Sequence, residues 1–589
     1  MARRDTVMKK PKDTRGALRR ILKYLGPWKY VIAAVAALSL CSNLLNLWGP
    51  SLAGSAIREA AAGAGKVNFG AVKHYAGLML LCYLGSALLG FGISLIMTVV
   101  SKRVARRMRQ DVFDKLMRLP VGYFDRHQAG DIISRVSYDI DVISTCMATD
   151  IVQILSSFVT VIGSLVMMIS ISPPLSALTL VTVPVSILYT VTMRKKTQPR
   201  YAKRSKSYGV MNGFVEEMLS GQKTILAYAY ENRVDEHFDT INRDAADAFS
   251  DAEYYGVTLG PTMTAINNLG LSLIALLGGV LFLNGQIDLG RISSFVLYSR
   301  KFAHPINAVA EVFNELFSAL AASERVFTLL DEEEESPDTE GAYLLDNVRG
   351  NVSAEHVAFG YDPGRTILHD LNLEAQAGKL TAIVGPTGAG KTTIINLLMR
   401  FYDPDSGVIR IDGHEIRTAV RRSVRGAYAM VLQDTWVFHG TIFENIAYGK
   451  ADATMEEVVA AAKAARIHPF IMRLPLGYDT VISEDGGNIS KGQKQLLTIA
   501  RAMLYDAPML ILDEATSNVD TATEREIQKA MRELMKQKTC FVIAHRLSTI
   551  ENADRILVLR DGDVVEQGTH RELMERQGFY HQLYAAQFE

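Results

Sequence analysis

Cysteine is scarce in this chain of 589 residues: only Cys41, Cys82, Cys146 and Cys540 occur. All four lie in apolar runs without metal-like spacing, so buried thiols are expected rather than disulfides or metal ligands, and redox chemistry is not indicated. Net charge is missing too. The 63 Lys and Arg balance the 63 Asp and Glu, which removes any global pull toward nucleic acid and leaves local charge to carry the electrostatics. No cleavable signal is expected. The N-terminus is basic (Arg3, Arg4, Lys9, Lys10, Lys12, Arg15, Arg19, Arg20), but the apolar run after Trp28 is span-length and has no small-residue cleavage pattern, so it is expected to stay attached. The mean hydropathy of +0.10 averages a strongly apolar first half and a soluble second half.

The most specific stretch is Gly385-Pro386-Thr387-Gly388-Ala389-Gly390-Lys391-Thr392-Thr393, which fits the G-x-x-x-x-G-K-[ST] phosphate loop. The β-rich run Leu380 to Val384 precedes it and a helical pattern from Ile394 to Met399 follows, which is the strand-to-helix context the motif requires. Glycines let backbone N–H groups curl around a polyphosphate and the helix N-terminus adds a favourable dipole. Lys391 is expected to reach the β- and γ-phosphates and Thr392 to hold Mg²⁺.

Apolar runs long enough to cross a bilayer begin near Trp28, Tyr75, Thr149, Pro174, Val257 and Ile292, predicting six spans. Basic clusters follow the second span (Lys102, Arg103, Arg106, Arg107, Arg109) and the fourth (Arg194, Lys195, Lys196, Arg200, Lys203, Arg204, Lys206). The positive-inside rule places them, and both termini, in the cytoplasm. Both basic connections are long and read as helix. The first contains Leu119-Pro120-Val121-Gly122-Tyr123-Phe124-Asp125-Arg126, either a plain helical hairpin or a docking elbow. On the sixth span His304, Asn307, Glu311, Asn314, Glu315 and Ser318 share a helical face. A carboxylate at the bilayer centre costs roughly 2.5–3.5 kcal/mol, so this face is either a wet cavity wall, with Glu311 favouring cationic amphiphiles, or a cytoplasmic extension. Asn43, Asn46, Asn267 and Asn268 serve interhelical hydrogen bonds or touch cargo.

The acidic run Asp331 to Asp338 marks a domain boundary, after which strand and helix patterns alternate as in an α/β nucleotide-binding core. The expected divisions are a basic N-terminal elbow (1–27), a membrane domain (28–328), a linker (329–350) and an ATPase domain (351–589). Tyr361 is a candidate adenine platform. The strand Met509 to Leu512 ends in Asp513-Glu514, where an acid at a strand tip engages Mg²⁺ and its neighbour polarises a water.

With Ile489-Ser490-Lys491-Gly492-Gln493 just ahead of that strand, the soluble half resembles the ABC ATPases. The resemblance implies Gln433 as the Q-loop glutamine, in the catalytic set and near Mg²⁺, Asp520 in the D-loop Ser517-Asn518-Val519-Asp520, His545 as switch histidine and Tyr361 as the A-loop aromatic. Ser490, Gly492 and Gln493 would contact nucleotide from the signature. The membrane half is similar to the six-span domain of ABC exporters of the type IV fold, including the Phe124-Asp125 and Gly130-Asp131 elbow and Ser220 to Thr224. The implied fold is an α-helical six-span membrane domain fused to an α/β P-loop ATPase, a half-transporter in a bacterial plasma membrane that uses ATP and Mg²⁺. Its expected partners are a second half-transporter, membrane lipid and a small-molecule cargo, not nucleic acid. An ATP-gated channel or regulatory subunit is the competing class, against which the intact Glu514 and His545 argue. No N-terminal peptidase domain is seen, so leader-peptide processing is not expected. The signature departs from Leu-Ser-Gly-Gly-Gln at Ile489 and Lys491, while the phosphate loop is regular. That asymmetry, with the resemblance of the run Asn488 to Asp520 to the catalytically intact subunit of bacterial heterodimeric multidrug exporters, implies a heterodimer with two unequal ATP sites, a homodimeric exporter being the alternative.

Overall fold

Long helices fill the chain to Asp331, in a computed structural model that describes residues 13–588 apart from 64–65, 363, 433–434, 484–487, 514–520 and 545–546. Among the described residues five helical stretches are long and apolar enough to cross a membrane: Thr14–Ala60, Phe69–Leu116, Ala129–Ile171, Pro173–Ser220 and Glu231–Leu283. A further helix, Leu289–Asp331, covers the sixth predicted span but is not among those five. Several helices start at residues suited to it: Asn68 and Asp288 accept from the backbone N–H groups of Ala71 and Arg291, and Pro173 opens its helix.

The chain divides into two compact units, one running to Arg118 and resuming over Gln128–Glu333, the other made of Leu119–His127 and Glu334–Glu589. In the helical unit, Lys29–Ala60 and Leu289–Asp331 are joined along one seam. Gly54 and Gly290 leave no room for a Cβ between the two backbones. Ser294 Oγ donates to the Pro50 carbonyl at 2.8 Å, Tyr298 Oη to that of Leu47 at 2.6 Å and Lys301 Nζ to that of Asn46 at 2.9 Å. Pro50 has no N–H, so the Asn46 carbonyl four residues earlier lacks its helical donor and the lysine supplies one. The stretch Ala129–Ile171 is interrupted by π turns at Arg135–Asp139 and Cys146–Asp150, and each ends on a buried aspartate. Asp139 is held by Arg325, with Nε at 2.9 Å and Nη2 at 2.5 Å. Arg200 with Asp251 at 3.2 Å and Arg204 with Glu253 at 2.6 Å tie the charged ends of Pro173–Ser220 and Glu231–Leu283 together.

The cysteines are all free thiols, but only Cys146 and Cys540 are buried; Cys82 is intermediate and Cys41 exposed. An apolar run in a spanning helix turns part of its circumference away from protein, so apolar neighbours in sequence do not imply burial.

In the second unit, a four-stranded antiparallel sheet runs β2-β1-β4-β5, from Leu368–Ala375, Val352–Phe359, Ser406–Ile411 and His414–Glu415. A six-stranded sheet runs β12-β11-β3-β10-β9-β6, from Asp563–Gly568, Arg555–Arg560, Leu380–Val384, Thr539–Ile543, Met509–Asp513 and Tyr428–Val431. A short pair, β7 (Gly440–Thr441) with β8 (Val481–Ile482), lies apart. Strands β11, β3, β10, β9 and β6 pair in parallel. Strand β10 is buried throughout and β3 nearly so, as expected of continuous apolar runs covered on both faces. The acidic run enters this unit through Glu335, whose carboxylate meets Arg425 at 2.5 Å and Arg421 at 3.5 Å, and Arg421 also reaches Asp403 at 3.0 Å.

Candidate functional site

The register of the parallel strands aligns their carboxyl ends. Ile383 of β3 pairs with Ile543 of β10, Ile543 with Asp513 of β9, and Leu512 of β9 with Val431 of β6. Four segments singled out in the sequence therefore leave one edge of the sheet: the phosphate loop after Val384, the chain after Val431, the acidic tip at Asp513 and the chain after Ile543. Ligands of open parallel sheets bind at such an edge. Of the predicted residues on these segments, Gln433, Glu514, Asp520 and His545 lie outside the described residues.

The phosphate loop turns from β3 into the helix Lys391–Leu398. Gly390 caps that helix at φ +100°, and a Cβ there would sit 2.9 Å from Leu368 Cδ2, so both conformation and space require glycine. Pro386, Thr387 and Gly388 form an exposed tip; Ala389 and Gly390 are buried beneath it. Lys391 Nζ donates to the carbonyls of Gly385 at 2.7 Å and Pro386 at 3.0 Å, which holds the ammonium over the loop. Burial pushes its pKa down and the Asp513 carboxylate opposes that shift, so the two charges sense one another across the sheet edge. Thr392 is exposed in the first turn while Thr393 is buried. A hydroxyl and a carboxylate, Thr392 and Asp513, are donors of the kind Mg²⁺ accepts beside phosphate oxygens.

Tyr361 lies next to this helix. Its hydroxyl donates to Thr393 Oγ1 at 3.3 Å and accepts from Asn396 Nδ2 at 2.9 Å. Its ring meets Phe359 and Tyr402 edge-on, each at a centroid distance of 5.0 Å, which leaves the ring partly exposed. An aromatic anchored at its hydroxyl and bare on a face suits a stacking base.

The signature residues sit elsewhere in the chain's own fold. Ser490 caps the helix Lys491–Tyr505 in a capping box: Gln493 N donates to Ser490 Oγ at 3.3 Å and Ser490 N to Gln493 Oε1 at 2.8 Å. Gly492 is buried, Lys491 exposed, and Ile489 packs against the core. Among the described residues, no hydrogen bond or ion pair links Ser490, Gly492 or Gln493 to the phosphate loop. The sequence groups these two motifs; the fold of one chain does not.

Two contacts escaped the sequence reading. The short helix Val121–Arg126 belongs to this unit, and Asp125 accepts a hydrogen bond of 2.5 Å from Tyr402 Oη. Burial, then that carboxylate, push the Tyr402 phenol well above its ordinary range. Gly122 admits the Tyr402 ring, which would lie 3.0 Å from a Cβ there. Asp125, Tyr402 and Tyr361 thus form a continuous line to the phosphate-loop helix. The second missed residue is Lys301, in the helical unit, one turn ahead of the polar stripe that begins at His304; extending the stripe's period backwards by one turn would have found it. Of that stripe, the side chains of His304, Asn307, Glu311 and Asn314 lie outside what is described.

Comparison with known proteins agrees with these features. Residues 32–305 match the family model described as ABC transporter transmembrane region, and residues 368–517 the model described as ABC transporter. The chain is 42% identical to the uncharacterized ABC transporter ATP-binding protein YfiC of Bacillus subtilis, over 98% of this chain and 96% of that protein. It is 46% identical to a fatty acid ABC transporter ATP-binding/permease protein of Mycobacterium tuberculosis, over 88% of this chain and 82% of that protein. A solved structure of a bacterial Atm1-family ABC exporter with ATP bound superposes with a TM-score of 0.75 at 30% identity, covering 98% of this chain and 99% of that one.

Proposed function

Because this chain belongs to the ABC transporter family, as a multi-pass bacterial membrane exporter whose C-terminal ATPase couples ATP hydrolysis to transport, we propose that it is one half of a heterodimer exporting a small amphiphile, with a drug, lipid or peptide-like cargo. The observation that carries the reading is the shared strand edge, where the phosphate loop, the Asp513 tip and the chain after β10 come together. In this reading Leu289–Asp331 completes six spans, the membrane domain covers 28–328, the linker 329–350 and the ATPase domain 351–589.

Each step assigns work to residues of this chain. Backbone N–H groups from Gly385 to Thr393 and the Lys391 ammonium cradle the β- and γ-phosphates, while Tyr361 stacks the adenine. Thr392, Gln433 and Asp513 would hold Mg²⁺, which would neutralise developing charge on the phosphates. Glu514 orients the attacking water and takes its proton, and His545 fixes the γ-phosphate against that water. Asp520 of the D-loop belongs to the nucleotide-binding set. Ser490, Gly492 and Gln493 complete the partner's site, in keeping with their distance in contact terms from this chain's own loop. Gln222–Ala227, which buries none of its residues within the chain, is an elbow free to dock on the partner's ATPase domain.

The heterodimer rests on the signature. The exposed Lys491 stands where the family has glycine, so a site borrowing this signature meets a side chain where backbone would approach phosphate. The regular loop of this chain meets the partner's signature and forms the hydrolytic site. Lys391→Ala is expected to weaken ATP binding, whereas Glu514→Gln keeps binding and lowers turnover at least about a hundredfold. Wild-type hydrolysis by Glu514→Gln in the assembled pair would remove the residue from its role. Robust, cargo-stimulated turnover by this chain purified alone would replace the heterodimer with a homodimer.

A further inference from the structure

The helical unit holds a cavity of about 530 Å³ whose walls mix apolar and polar side chains. Asn43, Asn46, Thr149, Gln153, Ser156, Thr160 and Lys301 contribute its polar lining. Lys301 lies about 18 Å along its helix from Leu289, at 1.5 Å per residue, which is deep for a charge in a spanning segment. Its ammonium is pinned rather than loose. It donates to the Asn46 carbonyl at 2.9 Å and to Asn46 Oδ1, and stands 5.8 Å from the centre of the Tyr83 ring. All of these partners are neutral. Among the described residues no carboxylate pairs with Lys301 and none lines the cavity.

A second, separate network is centred on Asn43. Asn43 sends its amide back to the Ser39 carbonyl at 2.7 Å, and its Oδ1 is occupied by Ser156 Oγ at 2.9 Å and Thr160 Oγ1 at 3.1 Å. That acceptor is therefore already used, as are the hydroxyl protons of Ser156 and Thr160, so Lys301 is the charged donor left on the described wall. A lysine ammonium has three donors and two are taken by Asn46, so one remains for a ligand. A volume of this size accommodates a small head group rather than a folded peptide.

We propose that this cavity binds the anionic oxygen head group of a single-chain amphiphile, with Lys301 as its counterion. The proposal rests on the exporter reading and names the charge of its cargo. A carboxylate or phosphate accepts the free Lys301 N–H and neutralises the only formal charge on the described wall, while the acyl chain follows the apolar helix surfaces. Pro50 is part of the device, since it frees the Asn46 carbonyl that fixes the ammonium in place.

The test uses the assembled transporter in nanodiscs and reads the half-saturating concentration for stimulation of ATP hydrolysis by four sixteen-carbon probes: palmitate, palmitoyl lysophosphatidate, the neutral monopalmitin and hexadecyltrimethylammonium. Either anion is expected to saturate at least tenfold below the cation, and which anion is tighter identifies the head group. Lys301→Met is expected to raise the half-saturating concentration of the better anion at least tenfold while leaving that of monopalmitin within twofold, and Lys301→Arg to restore it. Monopalmitin serves as the control for folding of the variant. A cation preferred to both anions, or an equal shift for anion and neutral probe in Lys301→Met, overturns the proposal while the exporter reading stands. Absence of ATP hydrolysis by the wild-type assembly under all probes would overturn the exporter reading itself.

Discussion

Replacing Arg325 by alanine strands a carboxylate that water does not reach. The Asp139 side chain is 3% exposed and its two oxygens take Nε and Nη2 of Arg325, whereas the arginine side chain is 49% exposed. The pair is therefore asymmetric, and the cost of breaking it depends on which partner is removed. Loss of the arginine leaves an uncompensated buried charge, which costs about 3–5 kcal/mol. Asp139→Asn leaves a half-exposed guanidinium that water solvates and keeps an acceptor for Nε, so the loss is about 1 kcal/mol. At about 2 °C per kcal/mol for a unit of this size, Arg325→Ala lowers the apparent melting temperature by about 6–10 °C and Asp139→Asn by about 2 °C. The double variant lies nearer to Asp139→Asn than to Arg325→Ala, because the stranded charge is gone, a coupling of about 3 kcal/mol. Melting of the detergent-solubilised protein, followed by loss of the monodisperse chromatographic peak, measures all three. Equal shifts for the two single variants, or additive shifts in the double, would refute the assignment of the cost to the buried carboxylate.

Three further outcomes are expected. Tyr402→Phe keeps the ring against Tyr361 but loses the bond to Asp125, worth about 1 kcal/mol at this partly exposed site, so ATP affinity stays within twofold while cargo stimulation of hydrolysis falls about fivefold; a tenfold loss of ATP affinity would assign the ring, not the bond. At Asp412 burial raises the pKa, but the N–H groups of Asn351, Gly350 and Arg349 and the Asn351 amide outweigh it and hold the carboxyl below its ordinary range. A depressed pKa stabilises the folded state above the unfolded value of about 3.9 and that contribution fades as pH falls through the folded value, so Asp412→Asn flattens the acid limb of a stability–pH curve below about pH 4 and lowers stability at pH 7; an unchanged acid limb counts against the assignment. Gly290→Ala forces apart the backbones at Gly54 and costs about 1–3 kcal/mol by overpacking, seen as a lower melting temperature that Ala at the open site Gly279 does not produce.

Local patterns carried the nucleotide half. The loop from Gly385 to Thr393 was legible because its glycines and lysine answer to backbone geometry within nine residues, and β3 and β9 because a buried parallel strand is apolar along its whole length. The helices beyond the membrane were legible from the two long basic connections that read as helix, but the pairing of Arg200 and Arg204 with Asp251 and Glu253 was not. Partners far apart in the chain were not legible. Nothing local to Tyr402 announces Asp125, 277 residues away, and Gly122 looks like a turn residue until the ring it admits is known. Lys301 was passed over because a lysine near a run of polar residues reads as a solvated face; its meaning depends on a carbonyl that Pro50 releases in another helix. Cys41 shows the converse, since apolar sequence in a spanning helix marks exposure to lipid as readily as a core.

The placement of Leu119–His127 within the ATPase unit bears on how such exporters are recombined. A chimaera that exchanges ATPase domains at the acidic linker makes one cut, whereas this unit is built from two stretches of chain. The graft would bring a foreign surface to Gly122 and Asp125, and the fit between a glycine that admits a ring and a carboxylate that takes its hydroxyl would survive only by chance. Moving residues 119–127 together with 334–589 transfers the whole unit. By the same logic, a substitution at 122 or 125 is to be matched at position 402 and not on the helices on either side of them.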